Sequence, residues 1–101
     1  MLSILIPTYN YNVYPLACQL EQQAIKEGVN FELICFDDGS NSVLNIENEK
    51  INTLTNCKFI AAKQNIGLSN NRNTLAKASK YEYILFMEGE YTQKQLNQTE
   101  N

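Results

Sequence analysis

The fold is decided by one stretch of the chain, Phe31-Glu32-Leu33-Ile34-Cys35-Phe36-Asp37-Asp38-Gly39-Ser40. Six mostly apolar, β-favouring residues lead into two adjacent carboxylates and a Gly-Ser turn signal, which predicts a buried strand ending in a polar loop. In open parallel α/β sheets, ligands bind outside the carboxyl ends of the strands. The acids of this loop are therefore candidates for ligand binding.

The same succession of apolar run and polar loop recurs on both sides of that stretch. Strands are predicted over 2–6, where Pro7 stops the run, and over 31–36, 57–62 and 81–87. An apolar stripe from Val13 to Ala24 predicts a first helix that ends near Gly28. A weaker helical segment is expected over 43–54, and Ser69 or Asn70 is expected to cap a third helix that runs to about residue 80.

This alternation predicts an α/β protein with a Rossmann-like, doubly wound, mainly parallel sheet of four strands and helices on both faces. Residues 8–12, 37–40, 63–67 and 88–90 each follow a predicted strand. Four polar loops should therefore meet at one edge of the sheet.

The composition of the chain argues against several classes of function. With 101 residues the chain makes one domain at most, and its net charge of −3 with unclustered basic residues predicts no nucleic-acid partner. There is no histidine, and the spacing of the three cysteines fits neither a zinc site nor a disulfide framework, which favours a reducing, cytoplasmic location. No apolar run approaches the roughly 18 residues of a membrane span.

Asp37, Asp38 and Arg72 are the first candidates for ligand contacts. The two carboxylates can accept hydrogen bonds from a base or a ribose, and because they are sequence neighbours they should not share one role. The alternative is an acid pair that caps the following segment. The guanidinium of Arg72 suits a phosphate, or alternatively a structural salt bridge to Asp37 or Asp38.

Glu88 and Glu90 are separated by one glycine and could hold a divalent cation that bridges a diphosphate, or could simply be exposed turn carboxylates. Thr8, Tyr9 and Asn10 offer a hydroxyl, a ring for base stacking and an amide. A P-loop, a GxGxxG dinucleotide motif and a nucleophile elbow are absent from the sequence.

Four ordered motifs together resemble the family 2 glycosyltransferases, along nearly the whole chain to about residue 91. They are Ser3-Ile4-Leu5-Ile6-Pro7-Thr8-Tyr9-Asn10, the stretch from Phe31 to Ser40, Asn65-Ile66-Gly67-Leu68-Ser69-Asn70-Asn71-Arg72-Asn73, and Tyr81-Glu82-Tyr83-Ile84-Leu85-Phe86-Met87-Glu88-Gly89-Glu90. The resemblance implies a GT-A fold and its nucleotide-diphospho-sugar-binding half, over residues 1–91.

The resemblance also implies roles for individual residues. Thr8, Tyr9 and Asp38 would contact the nucleotide base and its surroundings, with Asn10 in the same loop and Asp37 supporting the pocket. Lys63, Asn65 and Arg72 would orient the base, ribose or diphosphate. Glu88 and Glu90 stand where the family has an Asp-x-Asp that touches the ribose and a manganese or magnesium ion. Because glutamate reaches about one methylene further, metal affinity or metal choice is expected to differ.

The expected function is sugar transfer from a nucleotide diphosphate, most simply a UDP-sugar, to an acceptor hydroxyl. The alternative is a truncated or degenerate nucleotide-binding module without catalysis. No catalytic base is identified, because the family carries it and the acceptor pocket downstream of the Asp-x-Asp. Residues 92–101 are expected to be a frayed polar tail or the start of an acceptor half. An unpaired edge at strand four would favour self-association, and a full-length form could be peripheral to a membrane.

Overall fold

Four parallel strands form one sheet in this computed structural model, which describes residues 2–80 and 83–86. The strands are β1 (Leu2–Thr8), β2 (Phe31–Asp37), β3 (Cys57–Ala61) and β4 (Tyr83–Phe86), in the spatial order β3-β2-β1-β4. All three pairings are parallel, and Thr8 lies beside Asp37 in register. The carboxyl ends of the strands therefore share one edge of the sheet, as the sequence predicts.

Helical segments cover both faces of the sheet. They are α1 (Tyr14–Lys26), α2 (Asn45–Asn48) with the 3-10 helix Glu49–Thr53 directly after it, and α3 (Leu68–Ala78). On one face, Ile4 and Leu33 pack in a cluster with Ala17 of α1 and Ile51 of the 3-10 helix. On the other face, Leu75 of α3 packs in a separate cluster with strand residues of opposite parity, Leu5, Ile34 and Phe36. The predicted doubly wound α/β class is confirmed.

Three predicted boundaries were wrong. β1 continues through Pro7 to Thr8. Among the described residues its pairing with β4 reaches Leu5, so the missing N–H of Pro7 interrupts no bond of that described ladder. The segment 43–54 is not one helix but the four-residue α2 and the 3-10 helix. Gly67, with a φ of 86°, precedes α3 as its N-cap, so Ser69 and Asn70 lie inside the helix.

The outer border of β3 is occupied by a side chain. Asn52 of the 3-10 helix accepts the Phe59 N–H with its Oδ1 at 2.9 Å. This amide closes the middle of the border against an incoming strand.

Three predictions fall partly or wholly outside the described residues. The ends of the predicted fourth strand, at 81–82 and 87, lie there, and so do the predicted loop 88–90 and the predicted polar tail 92–101. Within the described residues, no helix has both the length and the apolar character to cross a membrane.

Candidate functional site

Three of the four predicted loops meet at the carboxyl edge of the sheet. The Asp38 N–H donates to the Thr8 carbonyl at 2.9 Å, which joins the loop after β2 to the end of β1. The loop after β3 contacts the same residue twice, since the Ile66 N–H donates to Asp38 Oδ1 at 2.6 Å and Asn65 Nδ2 donates to the Asp38 carbonyl at 3.1 Å. Asp38 is thus the point at which the three loops are joined.

Asp37 is buried and connects the loops at the carboxyl edge of the sheet, here called the rim. Its Oδ1 accepts the Ser40 hydroxyl at 2.7 Å and the Asn10 N–H at 3.3 Å. Its Oδ2 accepts the Ser40 N–H at 3.0 Å and Asn45 Nδ2 at 3.2 Å. With four donors on its two oxygens, Asp37 is suited to stabilising the loops. This environment agrees with the alternative in which the acid pair caps the following segment.

Asp38 has a different environment. Its side chain is fully buried, yet its Oδ2 has no hydrogen-bonding partner among the described residues, and neither does the buried Thr8 Oγ1. Burial raises the pKa of the Asp38 carboxyl; the Ile66 and Gly67 N–H groups oppose this rise and the charge of Asp37 adds to it. Buried polar atoms without a partner are costly and call for an explanation, such as a ligand that satisfies them.

Gly39 lets the second and third loops approach each other. Its φ is +73°, and a Cβ built on it would lie 2.2 Å from the carbonyl carbon of Gln64 and 2.4 Å from the Asn65 nitrogen. Any side chain at this position would push residues 64–65 away from the loop that carries Asp38. The turn residue of the sequence motif is therefore also a contact between loops.

The other candidate residues lie in the loops after β1 and β3 and on α3. Tyr9 is half-buried, whereas Asn10, with a φ of 49°, and Lys63 are exposed. Arg72 is exposed on α3, one turn from its start. The preceding residue, Asn71, is buried and donates from Nδ2 to the Phe36 carbonyl at 3.1 Å, which fixes this turn of α3 to the end of β2.

The sequence-based prediction missed two amides that support the rim. Asn45 binds Asp37, and the fully buried Asn48 binds Asn45 as well as the loop after β1. Asparagines three residues apart in an otherwise weak helical segment were the available signal. That signal is faint, because asparagine is also common in turns.

A metal centre is not evident in the described part of the chain, where no group of three or more His, Cys, Asp or Glu side chains is arranged to hold an ion. Both oxygens of Asp37 already accept protein donors. Glu88 and Glu90, the predicted metal ligands, lie outside the described residues.

Comparison with known proteins agrees with this architecture. The family model described as glycosyl transferase family 2 matches residues 3–89. The crystal structure of S. aureus TarS superposes with a TM-score of 0.65 at 30% identity, over 86% of this chain and 16% of the TarS chain. A second TarS structure, in complex with UDP-GlcNAc, gives 0.64 and 30%, over 86% of this chain and 26% of that one.

A search of curated proteins gave no match. The family match covers nearly every residue of the sheet and of the rim described above. The predicted GT-A relationship is confirmed by the TarS structures. The chain belongs to glycosyl transferase family 2.

Proposed function

We propose that this chain binds the nucleotide portion of a nucleotide-diphospho-sugar at the carboxyl edge of its sheet, as the donor half of an inverting sugar transferase. The observation that carries the proposal is a pair of buried atoms, Asp38 Oδ2 and Thr8 Oγ1, that have no hydrogen-bonding partner within residues 2–80 and 83–86. Thr8 is the last residue of β1 and Asp38 directly follows the adjacent β2, and their backbones are joined by a hydrogen bond.

A uracil ring matches what these atoms need. Its N3–H can donate to the Asp38 carboxylate, and its carbonyl oxygens can accept from the Thr8 hydroxyl. Tyr9 follows Thr8 directly in the chain, and its half-buried ring is the proposed stacking partner of the base. The similar TarS structure that contains UDP-GlcNAc supports a uridine nucleotide as the ligand.

The positive groups of the rim are the proposed contacts of the diphosphate. Lys63 and Arg72 are exposed and belong to the loop and helix that follow β3. In the proposed reaction the oxygen of an acceptor hydroxyl bonds to the anomeric carbon and gives its proton to a general base, while the bond from that carbon to the diphosphate oxygen breaks. Lys63, Asn65 and Arg72 then hold the departing nucleotide diphosphate in place.

A divalent cation, manganese or magnesium, is part of the proposal. Glu88 and Glu90 are its proposed ligands, because carboxylates and substrate phosphates together satisfy such ions. When bound, the cation would neutralise charge on the diphosphate. Asp37 is not proposed as a ligand of the cation, because both of its oxygens already accept hydrogen bonds from protein donors.

Calorimetric titration of the 101-residue chain with UDP, with and without manganese, tests the function. We expect saturable heat with UDP and weaker heat with GDP, whose purine differs in size and donor pattern. An absence of heat with either nucleotide would contradict the proposal and favour a degenerate module. For the cation, Glu88→Gln with Glu90→Gln should abolish the manganese dependence, whereas Glu27→Gln, at the far end of α1, should preserve it.

We also propose that β4 is the surface of self-association. Within the described residues β4 pairs with β1 on one side, so its other side offers backbone groups to a second copy. Light scattering coupled to gel filtration should show a mass above that of the monomer that increases with concentration. A constant monomer mass would exclude this contact.

A further inference from the structure

Asn48 contacts the loop after β1 through both the oxygen and the nitrogen of its side-chain amide. It is completely buried. Its Oδ1 accepts the Val13 N–H at 2.9 Å, and its Nδ2 donates to the Tyr11 carbonyl at 2.9 Å and to Asn45 Oδ1 at 3.1 Å. One side chain thereby satisfies a backbone donor and a backbone acceptor two residues apart.

These bonds fix a segment with little regular structure of its own. Residues 9–13, here called the β1–α1 loop, lie between Thr8 and the first residue of α1. Besides Asn48, the loop is held by Asp37, which accepts the Asn10 N–H. Tyr9 and Asn10, both candidates for nucleotide contact, thus stand on a loop fixed by side chains from elsewhere in the chain.

The two anchors of the loop are connected to each other. Asn45 accepts from Asn48 and donates to Asp37 Oδ2 at 3.2 Å. A line of hydrogen bonds thus runs from Tyr11 and Val13 through the two amides to the aspartate beneath the rim. Networks of this kind fix one arrangement when every member is satisfied.

We infer that Asn48 is a positioning residue for nucleotide binding, and that it acts by fixing the β1–α1 loop in the conformation that presents Tyr9 and Asn10. The inference rests on the proposed nucleotide-binding function. An amide is required at this position because it donates and accepts at the same time. A carboxylate of the same shape would place an oxygen against the Tyr11 carbonyl and Asn45 Oδ1.

Asn48→Asp is therefore the test. In the 101-residue chain we expect UDP to bind about tenfold more weakly, which is about 1.4 kcal/mol and the size of one net hydrogen bond. Asn52→Asp is the matched control, because Asn52 makes the same types of bond but to Phe59 and Glu49 on the far border of the sheet. It should leave UDP affinity unchanged even if it lowers the melting temperature.

An NMR signature separates positioning from general destabilisation. Without ligand, Asn48→Asp should shift the amide resonances of Tyr9, Asn10 and Val13, whereas Asn52→Asp should not. If Asn48→Asp fails to fold, Asn45→Ala removes the next bonds of the line and should weaken UDP binding about threefold.

Two results would overturn the inference while leaving the function intact. One is unchanged UDP affinity in the folded variant, and the other is an equal loss of affinity in both aspartate variants. Failure of the unmodified chain to bind UDP would instead refute the proposed function, and unshifted loop amides in the Asn48→Asp variant would then refute the positioning role independently.

Discussion

Replacing Asp38 with asparagine should weaken nucleotide binding without lowering stability. The side chain is buried, one oxygen takes the Ile66 N–H at 2.6 Å, and the other has no partner in the described part of the chain. Asparagine has the same shape, and its oxygen can keep the bond to Ile66. Its amide nitrogen would then face the ligand with a donor where the proposed uracil N3–H requires an acceptor.

The size of the effect follows from those contacts. A hydrogen bond to a charged group contributes about 1.5–3 kcal/mol, so the dissociation constant for UDP should rise about 10- to 150-fold. Stability should be unchanged or higher, because the variant no longer buries a carboxylate whose pKa is raised by desolvation. Calorimetric titration and thermal unfolding followed by circular dichroism measure the two quantities.

The pH dependence gives an independent check. Since the pKa of Asp38 is higher in the folded state than the unfolded value of about 3.9, the folded state binds more protons in the window between the two values. The contribution of this group to stability therefore decreases as pH rises through that window. UDP affinity should increase over the same window, because the ionised carboxylate is a stronger acceptor for the base N–H than the protonated carboxyl group, and Asp38→Asn should lose both dependences.

Two outcomes would refute this reasoning. UDP affinity equal to that of the unmodified chain would mean that Asp38 Oδ2 does not contact the ligand. A fall in melting temperature of more than about 4 °C, equivalent to about 1 kcal/mol in a domain of this size, would mean that the buried charge stabilises the fold.

Four further substitutions test other parts of the structure. Asp37→Asn should lower the unfolding free energy by about 1–3 kcal/mol in urea denaturation. The substitution replaces one carboxylate oxygen by an NH2 group, which would face the groups that donate to that oxygen in the unmodified chain. Gly39→Ala should weaken UDP binding and lower the melting temperature, since its Cβ would meet Gln64 at 2.2 Å; Gly28→Ala, at a φ of +68° with open space around it, should lower only stability, by about 1–2 kcal/mol. Leu75→Ala should lower the unfolding free energy by about 2–5 kcal/mol without changing UDP affinity, because it empties the core under α3.

The sheet was predictable from sequence because each strand is an apolar run followed by a polar turn signal. The stretch 31–37 shows this best, since burial on both faces makes a parallel strand continuously hydrophobic. The position of Asp38 at the carboxyl edge follows from the strand that precedes it. Strand existence, direction and the site edge were therefore all accessible from pattern alone.

The connections were less predictable, because long-range hydrogen bonds determine them. Residues 45–53 contain polar side chains at almost every position, and the segment is fixed by Asn48 bonding to the β1–α1 loop some 35 positions earlier in the chain. Likewise, the different partners of Asp37 and Asp38 depend on which loop donates to each. Local propensity contains no information about such partners.

The amide of Asn52 binds the Phe59 N–H at the outer border of β3. A polypeptide that docks beside β3 must first displace this side chain and forfeit a bond worth about 1 kcal/mol. Strand addition at this border is therefore disfavoured, and shielding of this flank limits open-ended stacking of copies into fibres.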